Sequence, residues 1–240
     1  MSRLEERVRR LSLVSIFEPL SREEIERLDG QLTNVHLESG EIHYTPEDRN
    51  ENFCILQKGR VREFKVVDDR ELTMVVLETG MVFGEMALTA QEFRGVYAQA
   101  MEPSEVSVMS RKHLEQIMLD KPEVGVQIAH VLSERLRWYE SRLEDITLKD
   151  VPARLASLIL SLIESQGVVS TNHQLKLPTH YTHRELGTMI GVKREAVTRA
   201  FARLQDTGAV ELRRRHIFVV NVEALRRLAR YSREFARRIV

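Results

Sequence analysis

Between residues 35 and 109 apolar and polar positions alternate in short runs: 35–37, 42–44, 53–56, 61–66, 72–77, 82–83, 96–101 and 106–109. Successive side chains of a strand point to opposite faces, so this period of two predicts strands with one face covered. Turn signals at Ser39-Gly40, Lys58-Gly59, Asp68-Asp69 and Thr79-Gly80 fall between the runs and fold them into an antiparallel roll or barrel. Ahead of the roll, Ser21 is followed three positions later by Glu24, a capping box that opens a short helix to about Leu28.

After Pro122 the period changes. Ala129, Leu132, Leu136, Tyr139, Leu143 and Ile146 step by three and four in turn, a heptad seam on a long helix flanked by Arg135 and Trp138. A narrow apolar stripe of this kind pairs with a second copy of itself or packs on the roll of its own chain, and both fit if different faces are used. Val151-Pro152 ends the helix and opens another, running to about Glu164, because proline is tolerated in a first turn. A polar loop over 166–174 and a short alternation at Leu175-Lys176-Leu177-Pro178 follow. The pattern predicts an α+β chain in three parts: a β-roll over 1–120, a long helix carrying the seam over 121–149, and a second unit over 150–240.

Residues 182–204 carry the most specific pattern. Thr182 caps a helix whose Glu185 closes a capping box, and Leu186, Ile190, Val192 and Val197 fall where two crossed helices need apolar contacts. Gly187 lets the helices approach, and Gly191 sits at a turn that requires a left-handed backbone. This is a helix-turn-helix pattern. Its second helix, from about Lys193 to Leu204, turns Lys193, Arg194, Glu195, Thr198 and Arg199 outward and Val197 and Phe201 inward. Arginine donates a bidentate pair to guanine, and glutamate accepts from cytosine N4, so the outer face can discriminate base pairs in a major groove. The alternative is that Arg194, Glu195 and Arg199 only form intrahelical ion pairs on a solvated face, which the four-residue spacing of Glu195 and Arg199 suits. Two apolar runs then flank Arg213, Arg214, Arg215 and His216, a hairpin with a basic tip suited to gripping phosphates. Beyond residue 220 a basic amphipathic helix offers Leu225, Leu228, Ala229 and Phe235 for packing, and its arginines either touch DNA phosphates or only shield the core.

Composition sharpens the division. The whole chain balances 36 basic against 36 acidic residues, yet residues 1–149 carry roughly −8 and residues 150–240 roughly +8. The single cysteine, Cys54, excludes an internal disulfide, a CxxC metal clip and an iron-sulfur nest, and suits a cytoplasmic protein. It lies in an apolar run and reads as a small buried hydrophobe. His173, His180, His183 and His216 show no metal-ligand spacing, so surface or capping roles are expected of them. No apolar run reaches the roughly 18 residues of a spanning helix, and residues 1–10 are not signal-like. Neither a nucleophile-base constellation nor a P-loop is visible, so no enzyme is expected.

An acidic roll, a dimer helix and a winged helix-turn-helix, in this order, resemble the cyclic-AMP receptor protein and FNR family of bacterial transcription regulators over residues 17–220. The sharpest points are Phe83-Gly84-Glu85-Met86-Ala87-Leu88, similar to the family's phosphate-binding cassette, and Lys193-Arg194-Glu195-Ala196-Val197-Thr198-Arg199, similar to its recognition helix. The resemblance implies a homodimer on double-stranded DNA, with Arg194, Glu195 and Arg199 reading TGTGA-type half-sites. It also implies contact with RNA polymerase through the loop over 166–172, and thus an activator. The cassette implies effector contacts from Gly84, Glu85, Met86, Ala87, Arg94, Gly95, Tyr139 and Glu140. Glu85 would hold a ribose hydroxyl and Arg94 a cyclic phosphate. Gly95 stands where a hydroxyl residue would donate, and Tyr139 and Glu140 stand where small hydroxyl residues would meet the base. These departures argue against cyclic AMP and leave a different ligand, or none, as alternatives. A lone cysteine excludes the iron-sulfur branch, and no axial haem ligand is assignable. The competing reading is a nucleotide-sensing module that acts through a protein partner or through nonspecific nucleic-acid binding.

Overall fold

The computed structural model describes residues 3–89, 92–170 and 174–236. It divides into two units, residues 1–136 and 137–240, with the division inside one long helix.

In the first unit the expected strands form β1 (Thr33–Leu37), β2 (Ile42–Tyr44), β3 (Asn52–Lys58), β4 (Arg60–Val67), β5 (Arg70–Glu78), β6 (Val82–Phe83), β7 (Tyr97–Ala100) and β8 (Ser104–Ser110). They make two antiparallel four-stranded sheets, ordered β1-β8-β3-β6 and β2-β7-β4-β5. Each predicted turn has a left-handed residue, at Gly40, Gly59, Gly80 and the Asp68-Asp69 pair. At Gly59 the requirement is doubled, because a Cβ there would stand 2.3 Å from Ser104 Oγ. The apolar core inside the roll includes Leu37, Leu56, Val61, Leu77, Phe83 and Val106.

Strand β3 explains why residues 53–56 run apolar without alternation. Cys54 and Leu56 face into the roll, while Phe53 and Ile55 face a second core under the helices. That core is closed by α1 (Arg3–Leu11), α2 (Arg22–Asp29), α3 (Arg111–Asp120) and the start of α4 (Pro122–Leu148). The capping box of α2 forms as expected between Ser21 and Glu24. Helix α1 is an element that the pattern of charges concealed. Its Val8 and Leu11 are buried, and Arg7 makes a bidentate bond to Asp29, at 2.9 Å from Nε to Oδ1 and 2.7 Å from Nη2 to Oδ2.

In the second unit α5 (Val151–Gln166) starts at Asp150, whose Oδ1 accepts from the Ala153 N–H at 3.0 Å. Its buried Leu155, Ala156 and Ile159 form the floor beneath α6 (His183–Ile190), α7 (Arg194–Asp206) and α8 (Val222–Ala236). Strands β9 (Val168–Val169), β10 (Leu175–Lys176), β11 (Val210–Arg213) and β12 (His216–Val219) form one antiparallel sheet, ordered β11-β12-β10-β9. Leu225 and Ala229 of α8 are buried and Leu228 is half-buried, whereas the Phe235 side chain lies outside the described ones. Among the described residues no helix is long and apolar enough to cross a membrane.

Candidate functional site

The exposed face of α7 is set by contacts on its other side. Thr182 caps α6 by accepting from the Glu185 N–H at 3.1 Å, and Glu185 Oε2 accepts from the Thr182 N–H at 2.6 Å. Gly191 ends α6 with φ +70° and ψ +34°. At Gly187 an added Cβ would meet the Val192 carbonyl oxygen at 2.7 Å, so the α6-to-α7 turn packs directly on the helix backbone. Val197 and Phe201 are buried with Leu186 and Ile190, which leaves Lys193, Arg194, Glu195, Thr198 and Arg199 exposed together. Among the described residues Glu195 and Arg199 form no ion pair, so the purely intrahelical alternative is not realised.

One histidine that the pattern left as a capping or surface residue joins the two helices. His183 at the start of α6 places Nδ1 2.9 Å from Thr198 Oγ1, and its ring stacks on Phe201 with centroids 5.5 Å apart. Burial and the neighbouring Arg194 charge push its pKa down. Spacing could not have revealed it, because fifteen positions separate the partners.

The wing is a two-residue hairpin. Arg213 pairs with His216 across the strands, and Arg214 and Arg215 occupy the turn with φ +47° and +67°. Such turns favour glycine or asparagine, and a left-handed conformation costs other residues about 1 kcal/mol each. Arg214 and Arg215 are exposed. Arg213 is engaged elsewhere: it donates to Glu211 at 2.6 Å and to Gln174 at 2.8 Å, and lies over the Phe218 ring. His216 is half-buried, its ring 6.5 Å from that of His180. The tip is thus two free cations on a braced base.

The interior of the roll holds charges. Arg94 is only 5% exposed; it donates to the Asn52 carbonyl at 2.6 Å and lies 4.5 Å from the Tyr44 ring centroid. Among the described residues its Nε and Nη1 have no hydrogen-bond partner, and Nη1 would stand 2.5 Å from a Cβ at Gly84. Glu85 is paired with Arg135 of α4, which also donates to the Val82 carbonyl at 2.8 Å. The Tyr44 hydroxyl donates to the buried Glu63. Burial and then the Glu85 charge push the Glu63 pKa up to about 7. Burial also pushes Cys54 up to about 12, which makes its thiol inert at neutral pH. Ala87 is buried, Gly95 is left-handed with φ +70°, and the Met86 side chain lies outside the described ones. Arg135 is the residue that sequence reasoning noted without a role. The signal was a second stripe on α4, Val124, Ile128 and Val131, which continues at the same spacing into Arg135.

The heptad seam lies on a different face. Leu132, Leu136, Leu143 and Ile146 are 38%, 59%, 66% and 41% exposed, and Ala129 is exposed. Tyr139 stands edge-on to Trp138 at 5.2 Å, and Glu140 is exposed. Among the described residues no group of three or more His, Cys, Asp or Glu is placed to hold a metal ion.

A β-roll with charges inside it and a winged helix-turn-helix with a polar reading face define a DNA-binding transcription regulator. Comparison agrees: the cyclic nucleotide-binding domain model matches residues 34–121, and the Crp-like helix-turn-helix domain model matches residues 153–228. The chain belongs to the cyclic-AMP receptor protein and FNR family, whose members are transcription factors rather than enzymes. It is similar to a CRP-like cAMP-activated global transcriptional regulator of Mycobacterium tuberculosis, with 26% identity over 92% of this chain and 98% of the relative. A global nitrogen regulator of Synechococcus elongatus is 27% identical over 78% of this chain and 86% of that one. Among solved structures, FixK2 from Bradyrhizobium japonicum has the same fold at a TM-score of 0.72, with 22% identity over 82% of this chain and 96% of that one.

Two outcomes follow. Glu63 has a folded pKa of about 7 against an ordinary 4.5, so its contribution to stability is present below pH 4.5 and lost as pH rises through 7. Urea unfolding should show the roll weakening from pH 5 to pH 8, and Glu63→Gln should flatten that dependence. In the wing, Arg215→Gly should raise the stability of the second unit by about 1 kcal/mol, since glycine adopts a positive φ without strain. A fall in the urea midpoint would contradict the strain argument.

Proposed function

We propose that the chain acts in the cytoplasm as a homodimer that reads TGTGA-type inverted repeats and activates transcription, without requiring cyclic AMP. The observation that carries this reading is the exposed set Arg194, Glu195 and Arg199 at the start of α7, with Glu195 and Arg199 unpaired and the helix held by a cap and a glycine turn. Two arginines suit two guanines of the half-site, and the glutamate suits the cytosine opposite one of them. Lys193, Thr182, Arg214 and Arg215 supply phosphate contacts around that face, while His216 and the tethered Arg213 brace the wing.

Dimerisation is supported by the exposed leucines of α4, which water disfavours and a second copy of the helix would cover. Symmetry then sets two recognition helices about one DNA turn apart on a palindrome. Independence from cyclic AMP is supported by the roll's own pairing. The Glu85 carboxylate is held by Arg135, part of Arg94 is spent on Asn52, and Gly95 offers no hydroxyl. Contact with RNA polymerase is assigned to the loop over 166–172, of which 171–172 lie outside the described residues; its Val168 and Val169 are exposed.

The test is a titration of nucleotide-stripped protein against a TGTGA inverted repeat and a scrambled duplex at near-physiological salt, with and without cyclic AMP. Preference for the repeat without nucleotide is expected. Equal affinity for both duplexes would overturn site reading, and preference only with cyclic AMP would overturn independence. Leu136→Glu should yield monomers in sedimentation and lose the preference. Arg215→Gly should weaken binding uniformly across sequences and lower the salt slope by about 1.

A further inference from the structure

Thr198 lies on the outer face of α7, one turn along from Arg194 and Glu195, and its hydroxyl is already spent. Oγ1 is 3.1 Å from the Arg194 carbonyl oxygen, to which it donates, and 2.9 Å from His183 Nδ1. A carbonyl can only accept, so the single hydroxyl proton goes to Arg194 and the Nδ1–H of His183 donates to Oγ1. His183 is itself fixed by stacking on the buried Phe201. With the oxygen turned back to the helix and held from α6, the group that Thr198 can offer to DNA is its methyl.

We propose that Thr198 is a specificity-determining residue that reads the 5-methyl group of a thymine, and that His183 is the positioning residue that keeps its hydroxyl away from the bases. This rests on α7 being the base-reading helix. The thymine methyl is the apolar mark of an A·T pair in the major groove, and a threonine methyl is one of its natural partners. A free hydroxyl in the same place would instead accept or donate to several base edges and would discriminate little. The tether thus converts an ambiguous side chain into an apolar one while costing no buried polar group, because both partners of the hydroxyl are satisfied.

The experiment uses deoxyuridine, which pairs as thymine does but lacks the methyl group. The full-length protein is titrated against the TGTGA inverted repeat or, where another duplex is preferred, the site it selects from a randomised pool, with each thymine pair replaced in turn. One thymine position per half-site should lose about three- to fivefold in affinity, the value of one buried methyl group. Thr198→Ser should abolish that loss, and Thr198→Val should retain it. His183→Ala should narrow the thymine-to-uracil ratio, and His183→Asn, whose amide nitrogen can stand in for Nδ1, should restore it. Thermal melting checks that each variant is folded; a variant that fails to fold leaves the Thr198→Ser and Thr198→Val pair to decide. Site preference without any uracil effect, or an effect that survives Thr198→Ser, would overturn this inference alone. No site preference in the unmodified protein would overturn the base-reading role of α7 and this inference with it.

Discussion

A guanidinium removed from water must be paired, and in this chain that requirement ties the long helix to the roll. Arg135 is nearly buried, and breaking a buried ion pair costs several kcal/mol because the remaining charge is left unsatisfied. Two of its partners, the Glu85 carboxylate and the Val82 carbonyl, lie at the cassette, in β6 and the turn that follows it. The apolar stripe of Val124, Ile128 and Val131 sets the face of α4, and Arg135 then fixes its register. An apolar residue there would bury area in several registers, whereas a paired arginine is satisfied in one.

The same pairing orders the interior of the roll. Glu63 and Glu85 carry like charges in a site with two arginines, and Glu63 responds by holding its proton to higher pH. Burial and the Glu63 charge push the Tyr44 hydroxyl pKa up as well, so the tyrosine remains a donor to that carboxyl. The network is therefore close to balanced, with Arg94 the member whose donors are least used. A barrel interior with such groups in it is expensive unless they meet each other, and here most of them do.

How much of this was legible in the sequence depended on the range of the interaction. Strands, turns and caps are local: short apolar runs between turn signals found β1 to β8, Ser21 and Thr182 found their capping boxes, and Gly187 and Gly191 marked the helix crossing. Helix α1 was missed because four arginines and two glutamates masked the spacing of Val8 and Leu11, whose burial depends on α2 and β3. The tether from His183 to Thr198 and the pair of Glu85 and Arg135 link positions 15 and 50 apart, and no local pattern encodes them. Arg213 is the reverse case. Composition grouped it with two free neighbours, but its place as the last paired residue of β11 turns it toward Glu211 and Gln174.

Zero net charge conceals a division of labour in DNA approach. With a screening length near 8 Å at physiological salt, DNA responds to the face it meets and not to the sum. In the proposed reading the basic second half would attract it and the acidic first half repel it, which favours approach through the second half. Within the basic half the strained arginines of the wing and the unpaired side chains of α7 then act differently. In that reading Arg214 and Arg215 would add affinity that any sequence receives, because phosphates are everywhere the same. On the same reading Arg194, Glu195 and Arg199 would add discrimination only with α7 held at a fixed depth and rotation. That rigidity comes from Gly187 packing on the Val192 carbonyl and from Phe201 buried beneath the helix. Loosening either contact should therefore spare much of the nonspecific binding while eroding the difference between right and wrong sites.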